Sequence, residues 1–265
     1  MSVLASQNIV LVGLPGAGKT TVAGALNEQF ACSVLHESDC SEDGHSLKFT
    51  RPGCFEWQEI MKPPVCSDEY VVWCVIDIRS TLPAQNADWL AQSLQNLLKV
   101  SDGVLFTFSE NSSLDTQAWW NKWLTKNRCV NGGLPTARMF NNGLPQQFNG
   151  FTKFVTDMDN AKKETCSEYE VAPDVEHFHF EVECVVLDHL LMVLDNARQN
   201  LAMKITRVVG TLKTLEYQNL VAIEGTPYRW DTYAAKTDKQ VGQLKISGIG
   251  LDQAWLNEMI QACRV

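Results

Sequence analysis

The sequence predicts an α/β protein: a parallel sheet of the P-loop type with helices on both faces, followed by a smaller α+β domain. Three observations predict it. The apolar run Ile9-Val10-Leu11-Val12 feeds Gly13-Leu14-Pro15-Gly16-Ala17-Gly18-Lys19-Thr20-Thr21, which fits G-x-x-x-x-G-K-[ST] at every fixed position. Apolar runs at 70–77 and 103–108 alternate with helical patterns and have the unbroken character of strands buried on both faces. Beyond residue 174 the pattern changes to strict alternation, several strands and a closing amphipathic helix.

Taken in order, the loop at 13–18 opens a helix, because Val22, Leu26 and Phe30 fall on one helical face. Residues 33–69 read as irregular: 33–44 is polar and acidic, and Arg51-Pro52-Gly53 and Pro63-Pro64 break the chain again. A loop of that length is expected to be functional. Residues 70–77 form a strand ending at Asp77, with Arg79 just beyond. The spacing of Leu90, Leu94, Leu97 and Leu98 predicts a helix over 83–100. After the strand at 103–108, Ser112 or Ser113 can cap the next helix, whose Trp119, Trp120 and Trp123 read as packing residues. A short strand at 136–140 runs into Asn141-Asn142-Gly143-Leu144-Pro145.

The domain boundary falls where composition changes, giving a nucleotide-binding domain at 1–150, a linker at 151–174 and a C-terminal domain at 175–265. Within the last, 176–184 alternates, with Phe178, Phe180, Val182 and Cys184 on one face and His177, His179, Glu181 and Glu183 on the other. Leu187, Leu190, Leu191, Leu194 and Leu201 mark a helix, 205–215, 220–225 and 243–247 read as strands, and a helix starts at Asp252. The order β-α-β-β-β-α suggests a small sheet with two helices on one face.

Composition narrows the function classes. The formal charge is −9, shared evenly: residues 1–150 carry 10 Lys/Arg against 14 Asp/Glu, and residues 151–265 carry 12 against 17. No basic patch is present, which argues against nucleic acid as a partner. No stretch approaches the ~20 predominantly apolar residues of a membrane span, so no membrane partner is expected. Met1-Ser2-Val3-Leu4-Ala5 lacks the basic lead of a signal peptide, and a cytoplasmic location is expected. The nine cysteines are scattered without a C-x-x-C pair, as expected of reduced thiols.

The chemistry concentrates at the first loop. Gly13, Gly16, Ala17 and Gly18 let successive backbone N–H groups turn inward around phosphate oxygens. Lys19 adds a point charge against the β- and γ-phosphates, Thr20 offers its hydroxyl to Mg²⁺, and Thr21 continues the helix start that faces the anion. Asp77, at the end of a buried strand, is placed to hold Mg²⁺ directly or through water, although it can also merely cap the strand. The bound ligand is therefore expected to be a nucleoside triphosphate, with Lys19 and Asp77 as the catalytic pair.

Two regions carry a family resemblance. The loop at 13–21 is close to that of the CobW-type P-loop GTPases, although it also fits many small-molecule kinases. Lys204-Ile205-Thr206-Arg207-Val208-Val209-Gly210, and Leu244-Lys245-Ile246-Ser247-Gly248-Ile249-Gly250-Leu251-Asp252 with its following helix, resemble strands and the closing helix of the CobW C-terminal domain. The resemblance implies GTP as substrate, slow hydrolysis, and a role in metal homeostasis or metallocofactor insertion, with Zn²⁺ or Co²⁺ delivered to a client metalloprotein. It also implies a C-x-C-C metal site, represented here by Cys54 alone, and a guanine-reading Asn-Lys-x-Asp, of which Asn141 alone is retained.

Two transition-metal sites are conceivable from residue types. His177 and His179 share a strand face with Glu181 and can chelate a divalent ion, or simply form a solvated face. His36, Asp39, Cys40 and His45 lie in one loop without a standard ligand spacing. Two rival functions stay open. One is an ATP-dependent small-molecule kinase in which Arg79 clamps the transferred phosphate. The other is a nucleotide-binding assembly module with little catalysis. No residue declares itself as the group that positions the attacking water, so turnover is expected to be slow.

Overall fold

The computed structural model describes residues 3–43, 46–65, 67–83, 88–127, 133–153, 174–201, 203–236 and 241–265. The chain divides into two compact units, Met1–Thr81 with Trp89–Ala172, and Leu82–Asp88 with Pro173–Val265.

The first unit is built on six parallel strands: β1 (Asn8–Val12), β2 (Val34–Leu35), β5 (Gly53–Glu56), β6 (Val71–Asp77), β7 (Gly103–Thr107) and β8 (Thr136–Arg138). Their order is β2-β5-β1-β6-β7-β8. A separate hairpin, β3 (Cys40–Asp43) with β4 (Ser46–Phe49), lies between β2 and β5 in the chain. The helices are α1 (Lys19–Phe30), α2 (Asp88–Val100) and α3 (Leu114–Asn127). Connections run one way from β1 and the other way from β6. Right-handed crossovers therefore put α1 on one face and α2 and α3 on the other. Alternation along the strands follows suit. Ile9, Leu11, Val71, Trp73 and Val75 share a core with Val22 and Leu26 of α1, while the buried Val10, Val12, Val72 and Cys74 face the opposite way.

Several boundaries differ from those read in the sequence. Residues 33–69 are not simply irregular, because β5 pairs directly with β1 over Asn8↔Gly53 to Leu11↔Glu56. Only four residues long, it carries no periodic signal, and tertiary pairing alone makes it a strand. Helix α2 starts at Asp88, not at residue 83, and 84–87 lie outside the described residues. Ser113 is the residue that caps α3, accepting from the Thr116 N–H at 3.1 Å. Trp120 is buried, and Trp119 and Trp123 stack on each other and edge-on against it.

Phe151, at the first position read as linker, packs into this core together with Phe148. Phe148 and Phe151 meet Trp73 edge-on, at 5.4 and 5.3 Å between centroids. Gly103 makes room for them, since a Cβ there would lie 2.3 Å from Phe151 Cγ. Gly103→Ala is expected to destabilise the protein by about 1–3 kcal/mol through overpacking against a ring that cannot swing away. Urea denaturation checks this; an unchanged midpoint would show that Phe151 yields.

The second unit is an antiparallel sheet in the order β13-β12-β11-β14-β9. Its strands are β9 (Glu176–Glu181), β11 (Lys204–Thr214), β12 (Val221–Gly225), β13 (Trp230–Ala234) and β14 (Gln243–Ile249), with the short β10 (Cys184–Val185) paired to β11. Helices α4 (Leu187–Gln199) and α5 (Gln253–Ala262) close one face: Leu190, Leu194, Leu256 and Ile260 share a core with Phe180, Ile205, Val208, Ile223, Leu244 and Ile246. Asp252 is the N-cap of α5, accepting from the Trp255 N–H at 3.0 Å. β9 ends at Glu181, but the alternation of burial runs on through the buried Val182 and exposed Glu183 to Cys184, which starts β10; Leu201 lies past the end of α4, half-exposed. Among the described residues no helix is long and apolar enough to cross a membrane.

Candidate functional site

The chain leaves β1 toward β5 on one side and later returns to β6 on the other, so β1 sits at the point where the strand order reverses. In open α/β sheets ligands bind outside the carboxyl ends of the strands at such a point. The loop at 13–18 occupies it. Gly16 and Gly18 have φ of 79° and 91°, values that side-chain-bearing residues avoid. Gly13 is fixed by proximity instead, because a Cβ there would come 2.4 Å from the Val75 carbonyl oxygen. The loop is closed by Ala17 N–H donating to the Leu14 carbonyl at 3.0 Å, and by the Thr107 hydroxyl donating to the Ala17 carbonyl at 2.7 Å. Thr107 gave no signal in the sequence; only the register Asp77↔Thr107 brings it here.

Lys19 is the first residue of α1, is 8% exposed, and donates from Nζ to the Gly13 carbonyl at 3.0 Å. Its ammonium thus lies across the loop mouth. The first turn of α1 carries no acidic residue and Gly18 supplies no side-chain cap, so the helix start keeps its positive end open to an anion. Thr21 is half-buried in that turn, while Thr20 is exposed and its hydroxyl donates to Glu56 Oε2 at 2.9 Å.

Asp77 is where the sequence placed it, at the end of β6 and 1% exposed. Its carboxylate is not open, however. Arg79 donates from Nε to Oδ1 and Oδ2 at 3.0 and 3.2 Å and from Nη2 to Oδ2 at 2.8 Å, while the Arg79 backbone N–H meets Oδ1 at 3.0 Å. The guanidinium also stacks on Phe108, 3.7 Å from the ring centroid. Phe108 has a φ of 57°, which turns the chain so that its ring lies against Gly18, 3.0 Å from where a Cβ would stand. Arg79, read as a phosphate clamp for the kinase alternative, is thus committed to Asp77 and Phe108.

Asn141 lies in the turn after β8, exposed, with φ of 48°. The turn is closed by Phe140 and Gly143 exchanging backbone hydrogen bonds at 3.0 and 2.9 Å, and Leu144 N–H donates to Gln29 of α1 at 3.1 Å. β8 lies three strands from β1, about 14 Å at the usual spacing.

The solved structures to which the chain is similar include the Zn(II)-bound YjiA GTPase from E. coli, at 14% identity and a TM-score of 0.34, covering 98% of this chain and 99% of that one. A Zn(II)-bound triple mutant of the YjiA GTPase is similar at 13% identity and a TM-score of 0.33, with the same coverage. No protein-family model matches the chain, and no curated protein does. At such identity and TM-score the likeness assigns no chemistry, which rests on the residues themselves.

The transition-metal readings fare differently from the P-loop. His177 and His179 share one face of β9, but Lys245 lies directly opposite His179, and His177 Nδ1 is hydrogen-bonded to Ser247 Oγ at 2.8 Å. A cation across the ladder opposes a second cation between the rings. In the loop, Asp39 caps its own turn by accepting from the His36 N–H at 3.1 Å and pairs with Arg51 at 3.3 Å. The His36 backbone contact and then Arg51 lower its pKa. Burial pushes the Cys40 thiol up to about 11, and His45 lies outside the described residues. Cys54 is fully buried on β5, and burial holds its thiol well above the ordinary range. Among the described residues no cluster of three or more His, Cys, Asp or Glu is placed to share an ion.

Proposed function

We propose that the chain is a Mg²⁺-dependent P-loop nucleoside triphosphatase with slow turnover, GTP being favoured by its resemblance to the CobW-type GTPases. One observation carries the reading: the G-x-x-x-x-G-K-T segment folds as a glycine-turned loop at the strand-order reversal, with Lys19 Nζ 3.0 Å from the Gly13 carbonyl at its mouth. Gly13, Gly16, Ala17, Gly18, Lys19, Thr20 and Thr21 form the phosphate site, and Asn141 faces the base. Lys19 exchanges its contact with Gly13 for phosphate oxygens and stabilises the charge that develops on the γ-phosphoryl group.

The oxygens beside the loop are hard donors that fit Mg²⁺. Thr20 would hold it, with Asp77 acting through water, since Arg79 covers its carboxylate. A Mg²⁺ held there would supply positive charge that offsets the phosphate charge. Slow turnover is expected because no residue declares itself as the group that positions the attacking water, and Arg79, two residues past Asp77, is engaged by that carboxylate.

A competition titration of GTP and ATP against one fluorescent nucleotide, with Mg²⁺ present, tests the proposal. Saturable displacement by both, with GTP at least several-fold tighter, is the expected result. Equal or tighter ATP binding would overturn the guanine preference, and no binding of either would overturn the reading as a whole.

A further inference from the structure

We propose that Glu56 is the carboxylate that completes the divalent-cation site beside Thr20, an inference that rests on the nucleotide-binding reading above. Glu56 is the last residue of β5 and stands opposite Leu11 of β1 at the end that leads into the loop. Side chains two apart on a strand share a face. Cys54 packs into the core on the α1 side, so Glu56 rises on that side too and meets the first turn of α1. The chain just beyond is pinned by Trp57 N–H donating to the Leu11 carbonyl at 2.9 Å, which fixes the strand end that carries the carboxylate.

Two acids flank the loop, and their surroundings differ. Asp77 has both oxygens engaged by Arg79. To ligate a cation directly it would have to share one carboxylate between two positive groups. Glu56 is half-exposed, accepts from the hydroxyl that P-loops offer to Mg²⁺, and makes no ion pair among the described residues. A negative side chain at the entrance of a phosphate cradle repels a nucleotide that arrives alone. The same charge becomes favourable once a divalent cation stands between carboxylate and phosphate. Glu56 therefore makes nucleotide binding conditional on the cation, a task that neither Lys19 nor the glycines perform.

The experiment is a titration of a fluorescent guanosine diphosphate and triphosphate, in chelator and in saturating Mg²⁺, with the native chain and Glu56→Gln. Glutamine keeps an oxygen for the Thr20 hydroxyl, so the contact survives and only the charge is lost. The native chain is expected to bind more tightly with Mg²⁺. In E56Q the gain from Mg²⁺ shrinks on the order of tenfold, and binding in chelator becomes equal or tighter. An E56Q gain equal to the native one would overturn the inference and leave the phosphate site standing. Failure of the native chain to bind nucleotide in either condition would overturn the underlying reading and this inference with it.

Discussion

Lys19→Ala is expected to weaken nucleotide binding by on the order of a hundredfold or more, with little loss of fold. The lysine is nearly buried, so its charge acts in a medium that screens it less than water does. It would make charge-assisted contacts to phosphate, each worth about 1.5–3 kcal/mol, and two such contacts are enough for the stated factor. One of its contacts at the loop mouth is to a neutral carbonyl, that of Gly13. Removing the side chain leaves a loop whose shape is set by Gly13, Gly16, Gly18 and Thr107. Thermal melting should therefore shift little while the binding isotherm collapses. Unchanged affinity in the folded variant would refute the phosphate-cradle assignment.

Arg79→Ala carries the largest expected effect on stability, a loss of about 2–4 kcal/mol. The side chain of Asp77 is 0% exposed and that of Arg79 23%, so the pair is substantially withdrawn from water. Taking away the guanidinium strips three side-chain hydrogen bonds from a buried carboxylate and also bares the Phe108 ring. A buried charge short of its counter-ion is costly, whereas removing both charges is far less so. The double variant Arg79→Ala with Asp77→Asn should thus be more stable than Arg79→Ala alone. For a chain of this size the single change corresponds to a drop of roughly 5–10 °C in Tm. A double-mutant cycle by calorimetry or chemical denaturation measures the coupling. Additive effects would show that the pair is electrostatically idle.

The phosphate loop was legible because its chemistry is local. Gly13, Gly16, Gly18, Lys19 and Thr20 are consecutive or nearly so, and each is required by a backbone angle, a close approach or a charge within one loop. Asp77 was legible for a related reason, since an acid ending a run of buried apolar residues stands out. What Asp77 touches was not. Arg79 is two residues away, but the ring that its guanidinium stacks on, Phe108, comes from just past the end of another strand.

Glu56 is the sharper case. In the sequence it sits in a stretch broken by Pro52 and Pro63 and without periodicity. A four-residue strand inserted between β2 and β1 makes it a neighbour of Thr20, 36 positions earlier. Likewise Phe151 fell in the stretch read as linker, and only its edge-on contact with Trp73 in the space left by Gly103 assigns it to the core.

By itself the sequence determined the class of sheet, the glycine-turned loop that runs into Lys19, and the change of architecture beyond residue 174, because backbone angles, charge and hydrophobic period act over a few neighbouring residues. The tertiary structure alone decided which acid stands open beside Thr20 and which is closed by an arginine. Strand order and register bring those groups together across tens of residues, and no local signal records a partner that arrives from another strand.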